Sequence, residues 1–440
     1  MRSGLKPAVA VVLGCLLLFA VAACGGGSSS GGSSEPSSEA AAAEDISGKV
    51  VVWDTEYESL PRYTEAIRQL DDEFEQLHPE VSIERVAQPL EEFETIYRTA
   101  FAAHEGPDVM MFQPGASRAF AQGMEDISDR VTPEMKEKML FWELSSPNLE
   151  SGGEHFAVPI GSFGYAWYYN KKMFKEAGLP TDFQPETWDE LRETAEALKA
   201  KGVEPFVAGN KEGAENLYWF SMALENGASE EEIRELALGK IPWTSDFVAK
   251  AFQPEIEMQE AGVYPQARFT TSLFTEAYGQ FAEGKGAMIL GFSNGIGYWG
   301  EFNEALGEKN VGTFLTPGLS QPVGLCDGWE IGIPTFAANK EAAWALVEFD
   351  SSRKAQEVLQ TVGGLVSNWT DTDLPSSFPA QPNFYLQEAR QRGVQIIPNT
   401  VMPTPVVYGP LESEMNEVLQ GRISLAEAQQ AMQEAAERSG

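Results

Sequence analysis

Three strings between Gly279 and Gly300 carry spacings that belong to known chemistry, and each lacks a part which that chemistry needs. Gly291-Phe-Ser293-Asn-Gly295 has the G-x-S-x-G spacing of a nucleophile elbow and follows an apolar run. That mechanism requires a base histidine further down the chain, whereas His78, His104 and His155 all lie upstream. A tight strand-to-helix turn accounts for the string. Gly279-x4-Gly284-Lys285 approaches a phosphate loop, but Gly286 stands where a hydroxyl would bind Mg²⁺, and the string precedes a strand. Gly295-x-Gly297-x-x-Gly300 has dinucleotide spacing, yet Tyr298 and Trp299 are bulky where a pyrophosphate would approach. Metal chemistry finds no paired histidines, and Asp371-x-Asp373 lacks the glycine and distal glutamate of a calcium loop. These patterns imply no cofactor, no metal and no catalytic residue. A glycosidase needs only two carboxylates, so abundant acid leaves that reading open.

The elements that position any site centre on residues 153–180. An extended run from Glu154 to Ile160 contains Pro159, which has no N–H for a sheet ladder, so the run leaves its sheet there. Gly161 and Gly164 follow, then an aromatic strand Tyr165–Tyr169, Asn170 as an N-cap, and a short helix Lys171–Ala177 stopped by Gly178. Strand, break, strand and helix near one third of the chain suggest a passage between two lobes. Upstream, the buried-type strand Lys49–Trp53, a helix opening at Pro61, a strand Val81–Val86, a helix around Phe93–Phe101 and the run Gly106–Phe112 give a β-α-β-α-β order. That order implies a parallel, doubly wound sheet, whose ligands sit at the carboxyl ends of strands. Downstream, Thr187-x-x-Glu190 and Ser424-x-x-Glu427 read as capping boxes. Further crossings fall near Gly324–Trp329 and Gly363–Leu374, and no repeat of fixed period occurs.

Composition bounds the function. At 440 residues the chain exceeds one ordinary core. Asp and Glu number 66 against 31 Lys and Arg, which argues against nucleic acid and against a polybasic membrane patch. Arg2 and Lys6 precede an apolar run Ala8–Ala20, too short for a conventional span, and Val21-Ala-Ala-Cys24 resembles a lipobox. Residues 1–23 then form a lipoprotein signal peptide, Cys24 is the lipidation site, and 24–45 is a Gly/Ser-rich linker. Only Cys326 remains beyond Cys24, so the mature chain forms no internal disulfide although it works outside the cell.

Tyr168-Tyr-Asn-Lys-Lys-Met-Phe174-x-x-Ala-Gly-Leu179, the following Glu186-Thr-Trp-Asp-Glu-Leu191, Gly106-Pro-Asp108 and Phe281-Ala-Glu-Gly-Lys-Gly-Ala-Met288 together resemble the sugar-type extracellular solute-binding proteins of bacterial ABC importers. The resemblance covers nearly all of the mature chain. It implies an α/β, two-lobe periplasmic-binding-protein-like fold, each lobe a doubly wound, mostly parallel sheet, with three hinge crossings. The N-terminal lobe would take 46–158 and 326–368, the C-terminal lobe 159–325 and 369–440. It implies a monomer held to the membrane only by the lipid, which captures a carbohydrate, an oligosaccharide or glycoside, and delivers it to membrane-embedded ABC permease subunits by hinge closure. A lipoprotein glycosidase, or the same fold binding a polyol, amino sugar or peptide, are the alternatives.

Sugars present apolar C–H faces and many hydroxyls, so such a site wants aromatic plates with carboxylates and amides beside them. Loop-edge residues of these types are Trp53, Asp54, Glu56, Phe112, Gln113, Phe163, Trp219, Asn294, Trp299, Asp327, Trp329 and Tyr408. Gly328-Trp329 resembles the family's cleft-lining "GGW" segment, with Asp327 in place of one glycine. Phe163 stands where the maltose-binding member carries a ligand carboxylate, which points away from maltose.

Overall fold

The computed structural model describes residues 46–142, 153–292, 298–318, 323–325, 328–372, 380–396 and 401–438. The expectations for Cys24 and the linker, Asn294 and Asp327 lie outside the described residues, as does the side chain of Trp299.

Ten strands are present among the described residues: β1 (Gly48–Asp54), β2 (Val81–Ala87), β3 (Val109–Phe112), β4 (Val158–Ile160), β5 (Tyr165–Asn170), β6 (Met288–Phe292), β7 (Val311–Phe314), β8 (Val323–Leu325), β9 (Trp329–Gly332) and β10 (Val394–Ile396). The first sheet has the order β2-β1-β3-β9-β4. β1 pairs in parallel with β2 and β3, through the helices α1 (Pro61–Leu77) and α2 (Phe93–Ala103), as the hydrophobic periods require. α1 carries Pro61 in its first turn, where a missing N–H is harmless, and buries Tyr63, Ile67, Leu70 and Phe74 along one stripe. β9 returns late in the chain to pair antiparallel with both β3 and β4. β4 is therefore the edge strand, and Pro159 sits in it without interrupting a ladder on both sides. Pro159 and Ile160 thus belong to the first sheet, two residues beyond the expected lobe boundary.

The second sheet, β6-β5-β7, corrects one expectation. It is not mostly parallel about its centre: β5 runs antiparallel to both neighbours. The reason lies in the connections. β6 and β7 run the same way and are joined through the helix Tyr298–Phe302, and Phe206 bridges Met288 in parallel, as a wound fold demands. β5 alone enters directly from the first crossing, without a crossover helix, and so opposes the rest. Asn170 caps the helix Lys171–Ala177 with its side-chain oxygen, and Gly178 ends it at φ 81°. Thr187 caps the helix Trp188–Ala200, but Glu190 reaches the N–H of Glu186 rather than Thr187, so only half of the expected capping box forms there. The box at Ser424 is complete.

The passes between the sheets touch one another. Gly161 and Gly328 both have positive φ, and a Cβ on Gly328 would lie 1.9 Å from the carbonyl oxygen of Gly161. A Cβ on Gly164 would lie 1.9 Å from the Tyr385 hydroxyl and 2.3 Å from the Gly324 carbonyl oxygen. Only glycine permits this approach. Ser162 and Val366, from the first and third passes, exchange backbone hydrogen bonds of 2.6 and 3.1 Å.

Candidate functional site

The carboxyl ends of β1 and β3 hold the first polar group. Asp54 ends β1 fully buried, and its Oδ1 accepts the N–H groups of Glu56 and Tyr57 at 2.9 and 3.0 Å. Its Oδ2 accepts the Tyr63 hydroxyl at 2.9 Å and lies 3.6 Å from Arg85. Burial pushes the Asp54 carboxyl up, opposed by the Arg85 charge and these hydrogen bonds. Asp54 is thus committed to holding the loop that follows, and Glu56 is what the loop presents. Gln113, the residue after β3, donates from Nε2 to Thr55 Oγ1 and to Glu56 Oε1, both at 2.9 Å. Burial, opposed by the Gln113 bond and aided by the Asp54 charge, pushes the Glu56 carboxyl up to about 7.

From there a run of rings passes to the second sheet. Trp329, on β9, meets Tyr63 edge-on with centroids 4.8 Å apart and Phe163 at 6.4 Å. Phe163 meets Phe292 at 5.1 Å, and Phe292 meets Tyr218 at 5.3 Å and Tyr165 at 5.8 Å. These rings come from the first crossing, β5, β6, β9 and the helices Pro61–Leu77 and Ala214–Gly227, so neither sheet owns the run.

At its far end stands a second polar group. Glu412 opens the helix Pro410–Leu419, and burial together with the Glu212 charge pushes its carboxyl up to about 8. Glu212 Oε2 is buried without a hydrogen-bond partner. Tyr218 feels both Glu412 and Tyr408, and burial holds its hydroxyl well above the usual phenol range. Tyr408 is 38% exposed, so it forms the open rim.

Of the expected residues, the structure brings together Asp54, Glu56, Gln113, Phe163 and Trp329, with Tyr408 at the opposite rim. Trp53, half-buried, packs against a separate cluster instead, its ring 5.9 Å from Tyr97. Two expectations are corrected. Phe112 is fully buried in a separate cluster with Tyr97 and Phe120, because its place on β3 faces away from Trp329. Trp219 is fully buried between Trp167, Trp188 and Tyr264, its indole N–H donating to the Tyr264 hydroxyl at 3.2 Å. Its faces are covered by other rings, so it packs the second lobe rather than lining the passage. Sequence reasoning missed Tyr218, Phe292, Glu212 and Glu412. A signal existed for Glu212, which follows the Gly209-Asn210-Lys211 interruption; Glu412 carried none.

Among the described residues no group of three or more His, Cys, Asp or Glu is placed to hold a metal, and no helix is long and apolar enough to cross a membrane.

Comparison with known proteins agrees with this architecture. A Pyrococcus horikoshii ABC transporter extracellular-binding protein is 23% identical over 372 residues, covering 81% of this chain and 79% of its own. The multiple sugar-binding protein of Streptococcus mutans is 26% identical over 217 residues, 48% of this chain and 50% of that one. A solved chitin oligosaccharide binding protein superposes with a TM-score of 0.74 at 18% identity, over 89% of this chain and 99% of that one, which shows the shared two-lobe fold. Residues 57–357 match the bacterial extracellular solute-binding protein family, and the chain belongs to it.

Proposed function

We propose that this chain is a lipid-anchored receptor that takes a carbohydrate, an oligosaccharide or glycoside, between its two lobes and hands it to ABC permease subunits after hinge closure. One observation carries the reading: the run of rings from Trp329 through Phe163 and Phe292 to Tyr218, with Glu56 and Gln113 at one end and Glu212 and Glu412 at the other. Apolar plates along a line suit successive sugar faces, and carboxylates and amides at the ends suit hydroxyls. The similarity to the multiple sugar-binding protein and to the chitin oligosaccharide binding protein supports the class. The paired Glu212 and Glu412, with no cation between them among the described residues, favour as second reading an amino sugar whose ammonium would neutralise both. The lobes are those expected from the sequence, 46–158 with 326–368 and 159–325 with 369–440, with Pro159 and Ile160 moved to the first because they pair in its sheet. Asn294, Trp299 and Asp327 join the site as the proposed remainder of its lining.

A thermal-shift panel of oligosaccharides, amino sugars, polyols and peptides tests the ligand class. The cognate ligand raises the melting temperature because it binds only the native state. A response confined to peptides overturns the carbohydrate reading. With that ligand, Trp329→Ala weakens binding by about 1–3 kcal/mol in calorimetry, the scale of a buried aromatic contact. Unchanged affinity makes Trp329 a core residue. Saturating ligand also lowers the radius of gyration in solution scattering, since contacts from both lobes exist only when closed. For the anchor, Cys24→Ala releases the chain from membranes, two acyl chains being what stable retention takes. Continued membrane retention of that variant removes the lipid from the proposal.

A further inference from the structure

The first and third passes are tied by three side chains that no candidate ligand contact involves. Ser162, Gln356 and Asn368 are each fully buried. Gln356 Oε1 accepts the backbone N–H of Gly161 and that of Asn368, both at 3.2 Å. Asn368 Nδ2 donates to Ser162 Oγ at 2.7 Å. The Ser162–Val366 backbone pair lies between these bonds. The second pass presses on the same point, through Gly328 against the carbonyl of Gly161.

Two atoms of this cluster are idle. Gln356 Nε2, a double donor, and Asn368 Oδ1, an acceptor, are buried without a hydrogen-bond partner. Leaving a buried amide group unmet costs about 1–3 kcal/mol. The amide of Gln356 cannot be turned to relieve this, because two N–H donors already require its oxygen where it stands. A donor and an acceptor are thus left over at the point where the backbone turns between lobes.

We propose that Ser162, Gln356 and Asn368 form a two-setting clasp, positioning residues that set the balance between the two lobe arrangements. In the setting described, Gln356 Oε1 and Asn368 Nδ2 are satisfied and the other halves of both amides are idle. In the alternative setting Gln356 Nε2 and Asn368 Oδ1 gain partners as the first pass rotates against the third. The two settings then differ by one or two hydrogen bonds, a gap small enough for ligand binding to reverse. The clasp rests on the hinge motion proposed above but makes its own claim, that affinity is tuned where no ligand reaches.

The test needs no ligand. Spin labels at Leu77→Cys and Leu238→Cys, both exposed and flanking the two sheets, report the lobe-to-lobe distance in the full chain with its own cysteines replaced by serine. The parent shows two distance populations. Ser162→Ala removes the Asn368 Nδ2 bond of the described setting and lowers that population about two- to tenfold. Gln356→Glu, read at pH 8, keeps an oxygen for both N–H groups but deletes the idle donor, so it raises the same population. Asn368→Ala removes the Ser162 bond from its other end and reproduces the Ser162→Ala shift, which guards against misfolding of one variant. Opposite shifts for Ser162→Ala and Gln356→Glu support the clasp. Shifts of the same sign, or melting temperatures that fall while the populations stay fixed, overturn it and leave packing residues. A single population in the parent overturns the hinge reading itself, while the carbohydrate reading is judged separately by the thermal-shift panel.

Discussion

Each lobe hides an arginine beneath the loop it offers to the passage, and the two are wired differently. In the first lobe Arg85, on β2, meets Asp71 at 2.8 Å, Asp350 at 2.9 Å and Asp54 at 3.6 Å. Asp54 then holds the Thr55–Tyr57 turn directly, so one step joins the charge cluster to Glu56. In the second lobe Arg268 meets Glu255 at 2.5 Å and Glu215 at 3.3 Å, with the Tyr264 ring 4.1 Å from its guanidinium carbon. There the connection is relayed. Glu215 accepts the N–H of Gly209, and Asn210 donates to Asn216 and Asn416. Asn216 donates in turn to the carbonyl of Glu412 at 2.7 Å. The first pole is fixed by charge and a turn, the second by a chain of neutral amides. A buried arginine is a strong brace only while all its partners stay in place, so the two lobes should fail differently.

The largest effect is expected at Arg268. Its partners Glu215 and Glu255 are at most 1% exposed, so Arg268→Met leaves two carboxylates buried without a cation. The expected cost is about 3–5 kcal/mol in denaturant unfolding. Arg85→Met costs less: Asp71 is 16% exposed and reaches water, and the buried Asp54 keeps the N–H groups of Glu56 and Tyr57 and the Tyr63 hydroxyl, so Asp350 alone is left bare. Equal losses would show that both clusters are hydrated alike and would dissolve the distinction.

Neither brace was legible in the sequence, and the reason is geometric. Arg85 sits in a strand whose period marks it only as a charged residue, and its partner Asp350 is 265 residues away. Nothing local announces such a pair. By contrast Asn170 and Gly178 act within a few residues of themselves, and both do in the structure what their types dictate; Pro159 does so only in taking an edge strand, since the run stays paired through Ile160 instead of leaving its sheet at the proline. The Asp54–Glu56 turn was equally local, since Asp54 accepts the N–H groups of residues two and three positions on. Aromatics divide less cleanly. Phe112, Trp219, Phe163 and Trp329 are all buried, so burial alone does not sort them; what sets Phe163 and Trp329 apart is that their ring contacts cross from one sheet to the other. β5 misled for a related reason, since strand direction depends on how the chain enters a sheet and not on the residues of the strand.

Acidity separates the poles next. Burial pushes Asp350 up to about 6 and Glu56 up to about 7 in the first lobe, and Glu225 and Glu412 up to about 7 and about 8 in the second. A carboxyl whose folded value is raised contributes stability that is full below the usual carboxylate range. That contribution is lost as the pH climbs through the folded value. The melting temperature should therefore fall between about pH 5 and pH 8, most steeply at the lower end where all four groups contribute, with Glu412 in the second lobe responsible for the uppermost part. Glu412→Gln removes the charge that Glu212 opposes, and it should make the fall shallower from pH 5 upward and abolish most of what remains between pH 7 and pH 8. A parallel curve, displaced but no flatter, would place the titration elsewhere.

A smaller effect is expected from the relay. Asn416→Ala removes the acceptor for Asn210 Nδ2 at 2.8 Å and the donor to the Asn210 carbonyl at 2.7 Å. Loss of about 1–2 kcal/mol follows from leaving these groups unmet. Because the relay ends at Glu412, affinity for a ligand identified by the panel should drop as well. Stability loss with affinity retained would make the asparagines a fold element with no bearing on the site.

The smallest effect is expected where the first pole is trimmed without touching its charges. Tyr63→Phe deletes a single hydroxyl that donates to Asp54 Oδ2 at 2.9 Å, and it leaves the ring against Trp329 in place. Asp54 keeps the N–H bonds from Glu56 and Tyr57 on Oδ1, so the turn holds, and Arg85 still faces the carboxylate. Stability should fall by about 1 kcal/mol, one hydrogen bond to a charged acceptor less the smaller desolvation of phenylalanine. Ligand affinity should change less than twofold, since the turn that carries Glu56 has lost none of its own bonds. The same count of side chains is altered as in Asn416→Ala, one step from a buried charge in the first lobe and further along a relay in the second, yet only the relayed lobe passes the damage to its rim. If Tyr63→Phe weakens binding as much as Asn416→Ala, the first pole is no better braced than the second.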